Sequence, residues 1–214
     1  MKAFVITFFI LFSLNVVSTG HAKTLLVMGD SLSASYGIPL ENGWVPLLES
    51  KLVKNGYDYN VVNESIGGET TDGALRRFQT ILGKSEPDIV IIELGANDGL
   101  RGFPIKIIKR NLNKLIDLGK TSGAKILLLG MHIPPNYGPL YTQKFHQNYL
   151  DLAAHNKINI VPFFLEGIAT DQQYMQRDGI HPNVLGQPFL LNNVWKELES
   201  LLICQREHYV YYFY

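Results

Sequence analysis

The chain predicts an α/β domain in which one parallel sheet is covered by helices on both faces. Three observations carry that reading. Short runs of Val, Ile and Leu alternate with amphipathic segments about five times between residues 24 and 203. The apolar runs are nearly continuous, as in strands buried on both faces of a parallel sheet, rather than alternating with polar residues. Glycines stand where the amphipathic segments should stop. Repeated strand–helix alternation is satisfied by crossover connections over a single sheet. A length of 214 residues, with 46% hydrophobic and 18% charged residues, suits one such domain with a sizeable core.

In chain order, residues 1–22 read as a secretory leader. Lys2 is its positive end, and Ala3 to Val17 is apolar except for Thr7, Ser13 and Asn15. Ser18-Thr19-Gly20-His21-Ala22 places small residues for cleavage after Ala22. An uncleaved anchor is the alternative, although the run is short for a span of about 20 residues. The expected destination is periplasmic or secreted, with no stable membrane span left after cleavage. The strands expected are Thr24–Met28, Tyr59–Asn63, Asp88–Leu94, Lys125–Gly130 and Asn159–Phe163. The helices expected are Trp44–Lys54, Thr71–Leu82, Pro104–Lys120, Thr142–Ala154 and Gln187–Ile203. Trp44, Leu47, Leu48 and Leu52 share one face, as do Ile105, Ile108, Leu112 and Leu115. Gly56, Gly83 and Gly123 mark helix ends. The domain runs over 23–204, and an aromatic tail, 205–214, follows as either an edge strand or a loosely ordered end.

Composition excludes several classes of function. Formal charge is zero, and loss of the leader removes Lys2 and no acid, leaving −1. No basic stripe argues for nucleic acid. The single cysteine, Cys204, rules out an intrachain disulfide and a multi-cysteine metal site. It lies in an apolar run and reads as a small hydrophobe, with a reactive thiol as the alternative. There is no Gly-x-Gly-x-x-Gly or P-loop, and no Gly-x-Ser-x-Gly, because Ser33 stands where its second Gly would be. His132, His146, His155 and His208 are isolated and His21 leaves with the leader, so no metal and no cofactor are expected. Met28 and Met175 read as packing residues.

The chemistry gathers at the ends of the strands. In open α/β sheets, ligands bind outside the carboxyl ends of the strands. The first apolar run stops at Gly29-Asp30-Ser31, which puts a hydroxyl there. The second is followed by Glu64-Ser65-Ile66-Gly67-Gly68-Glu69-Thr70, the third by Gly95-Ala96-Asn97-Asp98-Gly99, and the fourth by His132-Ile133-Pro134-Pro135-Asn136-Tyr137-Gly138. Asp178-Gly179-Ile180-His181 precedes the last helix. Acyl transfer needs a nucleophile, a base, a group that orients the base, and donors for the oxyanion. Ser31 supplies the hydroxyl, His181 can take its proton, and Asp178 is three residues from His181 on a tight turn. Gly68 can bring a backbone N–H close to a ligand because it lacks a Cβ. Asn97 offers a side-chain amide, and the Ser31 N–H is a third donor. Singly, each has a plainer reading: Ser31 as a helix cap, His181 as a loop residue, Gly67-Gly68 and Asn97-Asp98-Gly99 as turns. Asp30 reads as a cap or a hydrogen-bonding group at the rim of the core. All of them at one sheet edge argue for a site.

Gly29-Asp30-Ser31-Leu32, Gly68, Gly95-Ala96-Asn97-Asp98 and Asp178-Gly179-Ile180-His181 resemble the four sequence blocks of the SGNH, or GDSL, hydrolase superfamily. The resemblance runs from about Thr24 to Leu202. It implies Ser31 as nucleophile, His181 as base, Asp178 as orienting acid, and Gly68 and Asn97 as oxyanion donors. Glu93 to Gly102, Pro135-Asn136-Tyr137-Gly138 and Val161-Pro162-Phe163-Phe164 resemble its exported bacterial thioesterase I, lysophospholipase and arylesterase group. The chain departs from the pattern at Ile66-Gly67-Gly68-Glu69, where members often carry Ser-Gly-Asp, and in its aromatic tail.

The architecture expected is a flavodoxin-like three-layer α/β/α sandwich with a five-stranded parallel sheet in the order 2-1-3-4-5. The activity expected is hydrolysis of carboxylic esters or thioesters through an acyl-Ser31 intermediate. The partner is a small acyl ester or thioester, and the protein is expected to be a monomer. Leu100, Arg101, Gly102 and Phe103 would form a lip for the acyl chain, with Gly99 and Gly102 as hinges. Pro134 to Tyr137 would form the other wall. Leu100, Phe103, Pro135 and Tyr137 are therefore the candidate substrate contacts, with an ordinary surface loop as the alternative. A carbohydrate O-acetylesterase on the same scaffold is the rival enzyme. A non-catalytic binding module is the rival from another class.

Overall fold

The computed structural model describes residues 22–202. Residues 1–21, which hold nearly all of the expected leader, and residues 203–214, with Cys204 and the aromatic tail, lie outside the described residues. Five strands, β1 (Lys23–Gly29), β2 (Tyr59–Asn63), β3 (Ile89–Glu93), β4 (Lys125–Leu129) and β5 (Asn159–Val161), form one sheet in the order β2-β1-β3-β4-β5. Every neighbouring pair is parallel. The helices are α1 (Trp44–Lys54), α2 (Thr71–Ser85), α3 (Ala96–Leu100), α4 (Ile105–Thr121), α5 (Pro139–Asn156) and α6 (Gln187–Leu198). α1 packs on α6, and α4 packs on both α2 and α5, which gives the two helical layers. The sandwich and its strand order are those the sequence predicts.

Burial explains why the strands read as continuous apolar runs. Leu25 to Met28 and Val90 to Ile92 are fully buried, enclosed on both faces by helices. In α1 the buried stripe is Trp44, Val45, Leu48 and Leu52, with Leu47 only half-buried. In α4 it is Ile108, Leu112, Leu115 and Ile116, with Ile105 half-buried at the first turn.

Element ends differ from expectation for local reasons. β1 is one residue longer at each end, while β3, β4 and β5 stop short of Leu94, Gly130 and Phe163. β5 stops at Val161 because Pro162 has no N–H to continue the ladder. α2 runs through Gly83 to Ser85, so Gly83 does not end it. The stop is Glu86, in the left-handed region at φ 41°, just before Pro87, where a helical conformation is disfavoured. α5 begins three residues early because Pro139 occupies the first helical position, where its missing N–H costs nothing. α6 ends at Leu198, followed by a single turn of 3-10 helix over Glu199–Leu201. α3 is a helix that the sequence reading does not include, its plainer alternative for Asn97-Asp98-Gly99 being a turn.

Candidate active site

Ser31 sits in the turn immediately after β1. Gly29 must be small there, because a Cβ would stand 2.8 Å from Ser33 Oγ and from Ser65 Oγ. Asp30 Oδ1 accepts the Leu32 N–H at 3.0 Å, which fixes the turn that presents the Ser31 hydroxyl. His181 Nε2 lies 2.9 Å from Ser31 Oγ, although the two residues are 150 positions apart. His181 Nδ1 lies 2.7 Å from Asp178 Oδ2. A carboxylate only accepts, so Nδ1 carries the proton and Nε2 is left as the acceptor for the Ser31 hydroxyl.

The His181 loop is tied down by backbone and amide bonds. Gln176 N–H donates to His181 O at 2.8 Å, and Gln176 Nε2 donates to Tyr36 O at 2.7 Å, joining this loop to the one after Ser31. Gln187 Nε2 donates to Pro182 O, and its Oε1 accepts Trp44 N–H at 3.0 Å. The Tyr36 ring lies against the imidazole with centroids 4.5 Å apart. Asp178 Oδ1 accepts the N–H groups of Ile180 and His181 at 2.9 and 3.0 Å. Burial opposes the Asp178 charge, but those amide donors and the imidazole outweigh it and hold its pKa at about 2.

Asn97 is the second residue of α3. The chain enters that helix through Gly95 at φ 107°, where a Cβ would lie 2.4 Å from Tyr149 Oη, so only glycine fits. Asn97 Nδ2 donates to Asp30 Oδ2 at 2.9 Å, which brings the ends of β1 and β3 together. Asp98 is buried and accepts from Thr71 N–H at 2.9 Å and Thr71 Oγ1 at 2.6 Å; burial raises its pKa. Gly68, at φ 74°, lies in the loop between β2 and α2, and its carbonyl accepts from Arg101 Nη2 at 3.0 Å. Asp98 of α3 and Arg101 just after it thus tie this region to the start of α2 and to Gly68. Neither the Ser31 nor the Gly68 N–H meets an acceptor among the described residues.

A cleft of about 580 Å³ opens beside Ser31, Asn97 and His181. Its walls are mainly apolar: Leu100, Met131, Ile133, Pro135, Phe163, Leu165, Ala169, Met175 and Ile180. Leu100 and Pro135 line it as the sequence suggests. Phe103 does not; it is half-buried against the core. Tyr137 also stands outside the lining, and its Oη donates to Leu100 O at 2.8 Å, bracing the lip from behind. Gly99 is no hinge, for it is buried in α3 where a Cβ would come within 2.6 Å of the Phe145 ring. His132 lines the cleft and stacks on His146 at 3.7 Å; burial, then the neighbouring imidazole, lowers its pKa. Met175 packs and lines the cleft, while Met28 lies wholly in the core. A more polar groove of about 810 Å³ between α4 and α5 holds none of the candidate residues.

Residues 27–188 match the model of the GDSL-like lipase/acylhydrolase family. The chain belongs to this family. It is 50% identical over 181 residues to the esterase TesA of Pseudomonas aeruginosa, covering 85% of this chain and 90% of that protein. It is 46% identical over 187 residues to an arylesterase of Vibrio mimicus, covering 87% and 93%. It is 39% identical over 181 residues to thioesterase 1/protease 1/lysophospholipase L1 of Escherichia coli K12, covering 85% and 86%.

Sequence reasoning did not assign Met131, Ile133, Phe163, Leu165, Ala169 or Ile180 to the cleft. It also passed over Glu93, whose carboxyl lies directly beneath Asp30. An acid ending an otherwise apolar strand was the signal available for it.

Proposed function

We propose that the protein hydrolyses carboxylic esters and thioesters through an acyl-Ser31 intermediate. The observation that carries this reading is the continuous line from Ser31 Oγ through His181 to Asp178, at 2.9 and 2.7 Å, beside an apolar cleft. Ser31 Oγ attacks the carbonyl carbon while its proton passes to His181 Nε2. The carbonyl oxygen takes up negative charge, which the N–H groups of Ser31 and Gly68 and the Asn97 amide receive. The imidazolium that forms is stabilised by Asp178. It gives its proton to the departing alcohol or thiol as the carbon–oxygen or carbon–sulfur bond breaks. Water then repeats the cycle on the acyl enzyme, with His181 again taking the proton, and releases the acid and free Ser31.

The acyl thioesters, lysophospholipids and aryl esters suggested by the relatives share an acyl group, and the apolar walls suit its chain. The leader-like residues 1–22 support export to the periplasm or medium. The test is covalent labelling by an active-site phosphonate followed by peptide mass mapping. The adduct is expected on Ser31, with activity unaffected by a chelator. An adduct elsewhere, or activity lost to a chelator and restored by a metal, overturns the mechanism.

A further inference from the structure

Two carboxyls are buried together under the cleft. Asp30 is 1% exposed and Glu93 0%. They meet because Gly29 and Glu93 are register partners at the ends of β1 and β3. Glu93 Oε2 accepts from the Asp30 N–H at 3.1 Å and from Ser33 Oγ at 2.8 Å, and Ser33 Oγ accepts from Trp44 Nε1 at 3.2 Å. Glu93 Oε1 has no hydrogen-bond partner among the described residues. Asp30 Oδ1 is taken by the Leu32 N–H, and Asp30 Oδ2 by Asn97 Nδ2. Burying two acids and leaving one oxygen orphaned is costly. The acyl-transfer steps themselves use neither acid.

We propose that Asp30 is a positioning residue for Asn97: its Oδ2 decides which way the Asn97 amide faces, and Glu93 holds Asp30 in place from inside the sheet. The inference rests on the reading of Asn97 as an oxyanion donor.

An asparagine amide has two ends of opposite polarity. Turned by 180°, it would aim oxygen lone pairs at the developing oxyanion and repel it. An ionised carboxylate accepts and never donates, so only the NH₂ end of Asn97 can face Asp30. One amide hydrogen is then spent on Oδ2, and the second is left for the cleft that Asn97 lines. This selection fails if Asp30 is protonated, because its O–H would welcome the flipped amide. Adjacent buried carboxyls do not readily ionise together, so the pair keeps a proton. Two donors already occupy Glu93 Oε2, which leaves Oε1 to carry it. Burial, and then the neighbouring Asp30 charge, push the Glu93 carboxyl well up. Burial raises Asp30 only to about 6, because the Leu32 N–H, then the Glu93 carboxyl, the nearby His181 and the Asn97 amide favour its charged form. Asp30 is therefore the ionised member, bonded to Asn97, and Glu93 the neutral one, beside it.

A double-mutant cycle tests this. Asn97→Ala alone should lower kcat roughly 100- to 1,000-fold. Asp30→Asn, which turns an NH₂ toward a neighbour that needs an acceptor, should lower kcat by at least about tenfold with KM within about twofold. In the Asn97→Ala background the same change should cost less than about threefold in kcat, because the group it acts through is gone. An equal factor in both backgrounds, or no loss from Asp30→Asn alone, overturns the proposal. A normal kcat in Asn97→Ala sinks the oxyanion reading itself and this inference with it, so the two failures are distinct. Side-chain NMR on the uniformly ¹⁵N-labelled wild type reads the same relation without any Asp30 variant. One Asn97 amide hydrogen should exchange slowly with water in the free protein. Rapid exchange of both overturns the proposal even if Asp30→Asn fails to fold.

Discussion

Asp178 holds His181 twice over: Oδ2 faces His181 Nδ1 at 2.7 Å, and Oδ1 accepts the His181 backbone N–H at 3.0 Å. The three-residue spacing makes this possible, since one carboxylate can reach both the amide and the ring of the residue three positions on. The backbone bond sets the turn and the ring bond sets the tautomer. Asp178→Asn should keep the turn, because its amide oxygen can still accept the backbone N–H groups. It can also present an NH₂ to Nδ1, which favours the imidazole with its proton on Nε2, the wrong nitrogen. A kcat loss of roughly 10³- to 10⁴-fold with a near-normal melting temperature is expected. A near-normal kcat would reduce Asp178 to a turn residue.

In the proposed mechanism Ser31 and His181 share one proton transfer, so their contributions should not add. Ser31→Ala and His181→Ala should each remove nearly all turnover, and the double variant should be scarcely worse than either. Single-turnover kinetics on an activated aryl ester checks it. A double loss equal to the product of the single losses would show that the two side chains act independently despite the 2.9 Å contact.

The buried acids predict how stability depends on pH. A carboxyl whose pKa is higher folded than unfolded binds more protons in the native state. Its contribution is complete below the unfolded value and fades as pH rises through the folded one. For Asp30 that window runs from 3.8 to about 6, and Glu93 acts in the same sense from 4.5 upward. Asp178 acts in the opposite sense: its stabilisation is present above 3.8 and is lost as pH falls toward about 2. Glu93→Gln removes one titration from the buried pair and leaves the acid limb alone. The melting temperature of the variant minus that of the wild type should therefore rise between about pH 4.5 and pH 8. A constant difference across that range would falsify the assignment of the proton to Glu93.

Much of this fold was legible because burial on both faces writes itself into β1, β3 and β4 as unbroken apolar runs. The Ser31, Asp178 and His181 trio was legible because residue type and spacing already encode the chemistry. α3 was not, because Asn97-Asp98-Gly99 has turn composition. Its helix is imposed from outside, by Gly95 and by Asp98 bonding to Thr71. Glu93 was hidden for a similar reason. Its role follows from register with Gly29, a tertiary relation that no local pattern announces. Phe103 and Tyr137 were placed in the cleft by proximity to Asn97 and Pro135 in the chain, but one faces the core and the other braces Leu100.

The cleft walls predict a chain-length preference. Met131, Ile133, Leu165 and Met175 are each at most 9% exposed and offer an acyl chain apolar contact along its length. Each methylene taken from water contributes about 0.8 kcal/mol, or about fourfold in kcat/KM where that burial is realised in the transition state. Activity on a series of acyl esters with one leaving group should therefore climb with chain length and level off once the cleft is filled. Ala169 is half-buried in the wall, and Ala169→Phe fills part of the space an acyl chain would occupy. The variant should reach its plateau at a shorter chain, so that the ratio of long-chain to acetyl activity falls. Measuring kcat/KM across the series for both proteins decides it. A wild type that prefers acetyl esters would point instead to a small acyl group, as in the deacetylation of sugars. An unchanged ratio in Ala169→Phe would place the acyl chain along some other surface.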